Sequence, residues 1–309
     1  MGSASAATRA GPPSFGIGIA CCNEAQNVGE LLQALATSFG AGSTPQRIVV
    51  VSDASTDGTD EIVRRFAESS SVPVLLESRS ERGGKASAIN RIIELSGEVE
   101  LIVLISADVL PVPGWLPSLL TPFEQDDVGV AGCRVEPTGS DRFLAVRVSR
   151  LLWRLHHRIA LRRPKSTEVT VFRNRLQRID ETSLVDEAEI EVALRDAGFR
   201  VVYVPEAIVR SASPTAVTDY LRQRVRVTLG HLALAERRGY RVATLSPAAR
   251  VRALVDEVRQ GGVDASTVMA AAVLESAVLV AAHAARWWSG APTGRWPRID
   301  SAKRPVAPR

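Results

Sequence analysis

The chain has 309 residues, and 38 Lys and Arg against 34 Asp and Glu leave it at +4 with neutral histidine. Apolar residues at 45% and charged residues at 23% exclude wholesale disorder, and the length fits one large α/β domain or two smaller ones. Three cysteines, two of them adjacent (Cys21, Cys22) and Cys133 alone, exclude a disulfide-stapled secreted fold; they are too few for a metal cage and read as buried thiols in a reducing compartment.

Residues 1–13 are rich in Ala, Ser, Gly and Pro without an apolar core, which predicts a disordered leader and no signal peptide. Strand and helix signals then alternate. Strands are predicted at 15–22, 47–51, 72–76 and 100–105, with helices at 28–39, 60–67 and 84–96 between them. Such alternation implies parallel pairing with helices on both faces. In open sheets of this kind ligands bind beyond the carboxyl ends of the strands. Those ends carry Asn23-Glu24, Asp53 and Asp108, so three polar clusters are expected on one edge.

The rhythm changes after Pro113. A helix is predicted at 115–123, a strand at 129–135, and then a segment, 142–165, with eight basic residues and no acid. Leu144, Val148, Leu151, Leu155 and Ile159 share one helical face of it, and Arg147, Arg150, Arg154 and Arg158 another. A strand at 169–173, a helix at 187–197 closed by Gly198, a strand at 200–204 and a long helix at 217–237 follow. From about residue 240 come a helix near 248–260, an Ala/Val-rich stretch at 268–285 and a basic, Pro-rich end. The division expected is 14–239 as the main domain, with 14–135 and 136–239 as its halves, and 240–309 as a helical extension.

Two phosphate-loop readings fail. Arg82-Gly83-Gly84-Lys85-Ala86 resembles the end of a Walker A loop, but Arg79 stands where the first glycine belongs and no Ser or Thr follows Lys85. Gly16-x-Gly18 lies inside a strand pattern and opens no helix, so it is no dinucleotide fingerprint. What remains is a set of strand-end acids. Asp53 sits where a carboxylate could accept hydrogen bonds from a base or ribose. Asp108 fits beside a diphosphate, because Mg²⁺ or Mn²⁺ is commonly held by one or two carboxylates plus phosphate oxygens.

In order, Ala20-Cys21-Cys22-Asn23-Glu24, the Asp53 turn, residues 81–90, Ser106-Ala107-Asp108, Asp186-Glu187 and Gln223-x-x-Arg226-Val227 resemble the family 2 glycosyltransferases over residues 15–234. The resemblance implies a GT-A fold, an α/β architecture with a mostly parallel central sheet flanked by helices. It implies that Asn23, Glu24 and Asp53 hold the uridine of a UDP-sugar, with Arg82 and Lys85 near the base and diphosphate. Asp108 matches the last residue of the family's DxD element, which binds Mg²⁺ or Mn²⁺; Ser106 replaces the first Asp. Asp186-Glu187 matches the Glu-Asp pair, and counting back from Ala197-Gly198-Phe199-Arg200 puts Glu187 on the general-base position. Gln223 and Arg226 match the QxxRW element and would face the diphosphate; Val227 replaces its Trp, which argues against processive polymer synthesis.

The function expected is inverting transfer of a sugar from a UDP-sugar to an acceptor hydroxyl, with Glu187 as base. The acceptor is open between a lipid phosphate, a glycan and a small metabolite. Two alternatives are a non-catalytic sugar-nucleotide binder or membrane-docked partner, motivated by Ser106, the swapped acid pair and Val227, and a nucleotidyltransferase, which would need a Gly-rich basic loop after the first strand. The 142–165 segment fits either a helix packed on the domain or one lying on an anionic bilayer. The 268–285 stretch has Glu275 at its middle and is expected to be a buried or interfacial helix, not a span. The location expected is cytoplasmic, with peripheral attachment to the inner membrane face. Little aromatic interleaving and no zinc or helix-turn-helix pattern argue against a nucleic-acid partner.

Overall fold

Runs such as Ile48-Val49-Val50-Val51 have no polar face, because the strand they form is covered on both sides. In a computed structural model, which describes residues 12–40 and 42–289, eight strands form one sheet in the order β3-β2-β1-β4-β7-β6-β8-β5. The strands are β1 (Phe15–Cys21), β2 (Ile48–Asp53), β3 (Val74–Arg79), β4 (Leu101–Ser106), β5 (Val109–Pro111), β6 (Val128–Thr138), β7 (Val169–Arg173) and β8 (Arg200–Ala212). The first four pair in parallel, while β7 runs antiparallel to both β4 and β6, and β5 antiparallel to β8. Helices α1 (Val28–Thr37), α2 (Thr59–Ser69), α3 (Lys85–Leu95), α4 (Trp115–Leu120), α5 (Leu144–Ala160), α6 (Asp186–Asp196), α7 (Val217–Arg238), α8 (Pro247–Arg259) and α9 (Ala265–Ser289) flank the sheet. The expected leader falls almost wholly, and the Pro-rich end wholly, outside the described residues.

Side chains alternate between two cores. Ile48, Val50, Val103 and Ile105 pack with α1, α2 and α4, whereas Val49, Val51, Ile102 and Leu104 pack with α3 and α6. Gly18 serves this packing: a Cβ there would stand 2.3 Å from Ile92 Cγ2, so α3 could not lie so close to β1. That is the physical reason for the glycine that looked like part of a nucleotide fingerprint.

Three differences from the elements expected are informative. The third strand begins after Pro73, not at Val72, since the proline has no N–H to give to the ladder. β5 was not foreseen; it is three residues long and exists only through its pairing with β8. β8 continues to Ala212 past a register shift between Cys133 and Arg134 on β6.

The basic segment resolves into a packed helix. Leu151, Leu155 and Ile159 of α5 are buried, Arg154 and Arg158 pair with Glu257 of α8, and Arg162 pairs with Asp256. The alternative of α5 lying on a bilayer is therefore set aside. Ala265–Trp288 of α9 is long and apolar enough to cross a membrane by length and composition, with mean hydropathy 1.8. Its inner face is nonetheless pinned: Glu275 accepts hydrogen bonds from Arg224 (2.9 and 2.8 Å) and Tyr220 (2.8 Å), with Arg250 at 3.6 Å. Burial alone would raise the Glu275 carboxyl, but the Arg224 guanidinium outweighs it and holds the group below its ordinary value. Glu275→Ala should cost about 3–5 kcal/mol in urea denaturation by leaving Arg224 buried and unpaired, and replacing both with apolar residues (Arg224→Met, Glu275→Leu) should recover most of it.

Candidate active site

The carboxyl ends of β1, β2 and β4 lie side by side, as the register pairs Cys21 with Ser52 and Ala20 with Ser106 show. A cleft of about 630 Å³ opens over them. Its polar wall contains Glu24, Asp53, Arg82, Lys85, Asp108, Glu187, Gln223 and Arg226, so eight of the nine residues singled out in the sequence converge on one cavity. The far wall is built by α5, α7, α8 and α9, so the helical extension closes the cleft.

Asn23 is the exception. It adopts φ 54°, its side-chain oxygen accepts the Thr56 N–H at 2.6 Å, and its own N–H donates to Ser55. It is not among the cleft-lining residues, and its contacts join the loops after β1 and β2. Asp53 has a similar structural duty. Its carboxylate accepts the N–H groups of Gly83 (2.8 Å) and Gly84 (2.9 Å) and pairs with Arg79 at 3.6 Å, fixing the loop that starts α3. Glu24 is buried and accepts from Asn27 at 3.0 Å.

That loop aims Lys85 across the cleft. Its ammonium lies 2.6 Å from Glu187 Oε1 and 3.5 Å from Asp186 Oδ2, and 39% of its side chain remains accessible from the cavity. The acids project from the first turn of α6, where the helix dipole favours them. The segment before them is pressed by α7: a Cβ on Gly230 would meet Val185 at 2.8 Å and Leu184 at 2.9 Å. Glu191, fully buried, accepts the Ser166 N–H at 2.7 Å and ties the loop after α5 to α6.

That loop supplies a residue absent from the sequence reading, Glu168, on the cleft wall with Asp108 and Glu187. Four carboxylates therefore share the fields of two cations, Lys85 and Arg226. Burial and the negative Glu187 push Glu168 up to about 7 against the pull of Lys85. Asp186 is pushed up to about 6, chiefly by burial. Burial also raises Asp108. Glu187 differs: burial would raise it, but the adjacent Lys85 ammonium holds it below its ordinary value, so it is ionised at neutral pH. Lys85 itself, although the cleft partly desolvates it, is held protonated by Glu187, Asp186 and Glu168. Arg226 keeps a buried Nε with no partner, as does Asp186 Oδ1. Both residues line the cleft, where a polar ligand would complete their hydrogen bonding.

No group of three or more His, Cys, Asp or Glu is arranged to hold a metal among the described residues. The donor set, Asp108 with a single carboxylate beside open cavity, fits a Mg²⁺ or Mn²⁺ ion shared with phosphate oxygens and does not fit an all-protein cage. A pH effect follows from Glu168. Its folded pKa lies above the unfolded one, so native protein binds the extra proton and stability falls as pH rises from about 4.5 to about 7. Glu168→Gln should therefore stabilise the protein by about 1–3 kcal/mol at pH 8 and hardly at pH 4 in urea denaturation; equal effects at both would contradict a carboxyl raised by burial and by Glu187.

The profile of Glycosyl transferase family 2 matches residues 17–182, and that of Glycosyl transferase family group 2 matches residues 101–289. No curated protein matches the chain. Among solved structures, the chain is similar to the mannosyltransferase PcManGT from Pyrobaculum calidifontis, solved with GDP-Man and Mn²⁺, with 22% identity, 91% of this chain and 89% of that one covered, and a TM-score of 0.60. It is also similar to glucosyl-3-phosphoglycerate synthase from Mycobacterium tuberculosis, solved with Mn²⁺, UDP-Glc and phosphoglyceric acid, with 16% identity, 74% and 81% covered, and a TM-score of 0.51. At these identities the likeness establishes the shared fold, and the family match carries the kind of chemistry. The chain belongs to glycosyl transferase family 2, with a GT-A fold, and is an enzyme of the glycosyltransferase type.

Proposed function

We propose that the protein moves a sugar from a UDP-sugar to an acceptor hydroxyl with inversion at the anomeric carbon. The observation that carries this reading is the Lys85–Glu187 contact at 2.6 Å on the wall of the strand-end cleft. It keeps a carboxylate ionised in a low-dielectric site where a hydroxyl proton must be accepted. The uridine would lie toward Glu24, Asp53 and Arg82, and the diphosphate between Asp108 and Arg226. Mn²⁺-bound nucleotide sugars in the two structural relatives support a nucleotide-sugar donor with a divalent ion.

In the reaction, the acceptor oxygen forms its bond to the anomeric carbon as its proton passes to Glu187. The bond from that carbon to the diphosphate oxygen breaks, and its electron pair leaves with the nucleoside diphosphate. Arg226, with Nε unpartnered, is placed to receive the charge that develops there. Gln223 lines the same cleft three residues earlier on α7 and shares that face. Asp108 would hold Mg²⁺ or Mn²⁺ against the diphosphate, and when bound the ion supplies Lewis-acid stabilisation of the leaving group.

Two variants test this. Glu187→Gln should lower kcat by about 10²–10⁴-fold while UDP binding, read by calorimetry, stays near wild type; near-wild-type turnover would overturn the base assignment. Asp108→Asn should weaken UDP binding in Mn²⁺ to the level that wild type shows in EDTA. UDP affinity insensitive to both changes would overturn the metal assignment. Tight UDP binding with no donor hydrolysis and no transfer would instead support a non-catalytic binder.

A further inference from the structure

The cleft extends well past the carboxylates, and the rest of it has a chemistry that donor binding does not use. Beyond Glu187 its wall carries Lys165, His156 and His231. The Lys165 side chain makes no hydrogen bond or ion pair with the described residues, and it lies in the fields of Glu191, Glu187, Arg224 and Glu168. His156 Nε2 and His231 Nδ1 are both buried and unpartnered. Burial, then the charge of Lys165, holds both imidazoles below their ordinary value, so each is neutral and offers one N–H. An ammonium and two imidazoles around one void, with acceptors missing, suit a compact anion with several oxygens.

Past these groups the cavity turns apolar. Leu155 and Ile159 of α5, Leu254 of α8, and Val268 and Ala271 of α9 line it. Val251, 62% exposed, and the exposed Ala272 line it as well, so this end reaches the surface between α8 and α9. The surface it reaches is apolar: Met269, Val273 and Val280 on α9 and Val255 and Val258 on α8 are exposed, and Trp287 and Trp288 follow at the end of α9. An exposed apolar strip of this kind marks a contact with lipid or protein, and a channel opening on it points to lipid.

We infer that the acceptor is an amphipathic lipid with a phosphate-bearing head: the phosphate sits at Lys165, His156 and His231, the chain lies in the channel between α5, α8 and α9, and a head-group hydroxyl reaches Glu187. This rests on the donor reading above and specifies its second substrate. The bonds made and broken are those already given, with the lipid head supplying the attacking oxygen.

The test uses calorimetry on the full chain with monomeric dodecyl phosphate, inorganic phosphate and, separately, UDP. Dodecyl phosphate should bind at least about tenfold tighter than inorganic phosphate, since chain burial adds to affinity with each methylene. Leu254→Trp, which fills the channel, and Ala272→Trp, placed at the exposed rim where bulk does not disturb folding, should each remove that advantage and leave UDP binding unchanged. Lys165→Ala should weaken dodecyl phosphate and inorganic phosphate together. Equal affinity for the two phosphates would overturn the lipid assignment in favour of a free phosphate-bearing acceptor. Dodecyl phosphate binding untouched by both Trp variants would overturn the channel. Failure of wild type to bind UDP, with these phosphate results as expected, would contradict the donor reading and leave the lipid site standing.

Discussion

A buried carboxylate is stable only beside a counter-charge, and here one ammonium serves a group of them. Lys85 starts α3 in the first half of the chain, and Asp186 and Glu187 start α6 in the second. The ion pair therefore bridges the two halves across the cleft and holds Glu187 ionised. Its partners upstream are structural in the same sense: Asp53 holds the Gly83–Gly84 turn, and Asn23 holds the turn that contains Asp53. Moving any of them would move the ammonium, because each fixes the backbone from which the next projects.

The second half of the cleft depends on a different buried pair. Arg224 on α7 and Glu275 on α9 fix the C-terminal helix against the domain, with Tyr220 completing the set. Arg154 and Arg158 do the same for α8 through Glu257. The outcome is a wall with polar anchors inside and an apolar surface outside. A helix with the composition of a membrane span is thus held by its single central acid while its outer face stays bare. The motifs read from the sequence ended at residue 234, and the structure makes the helices beyond them part of the cavity.

Much of this was legible in the residues. Apolar runs ending in acids gave the strand tips, because a parallel sheet brings successive carboxyl ends to one edge. The 3.6-residue spacing of Leu151, Leu155 and Ile159 marked the apolar face of α5 but left open whether protein or lipid covers it. Glu168 was missed for a topological reason. It precedes β7, which runs antiparallel to β4, so the start of β7 meets the end of β4 (Val169 opposite Ile105). Strand direction leaves no mark in local periodicity, and a Glu before a strand would ordinarily fall on the far edge. Lys165 was read as part of a basic helix and instead lies in the loop that ends it. Asn23 shows how a short amide one residue past a strand can brace a neighbouring turn, a duty that its position in the sequence does not distinguish from ligand binding.

The most direct measurement is a crystal structure of the protein with UDP and Mn²⁺. The account predicts the diphosphate in the strand-end cleft, between Asp108 and Arg226, with Lys85 still bridging to Glu187 and the base toward Glu24. A nucleotide bound elsewhere, with Asp108 and Arg226 making no contact to it, would contradict the assignment of this cleft as the donor site.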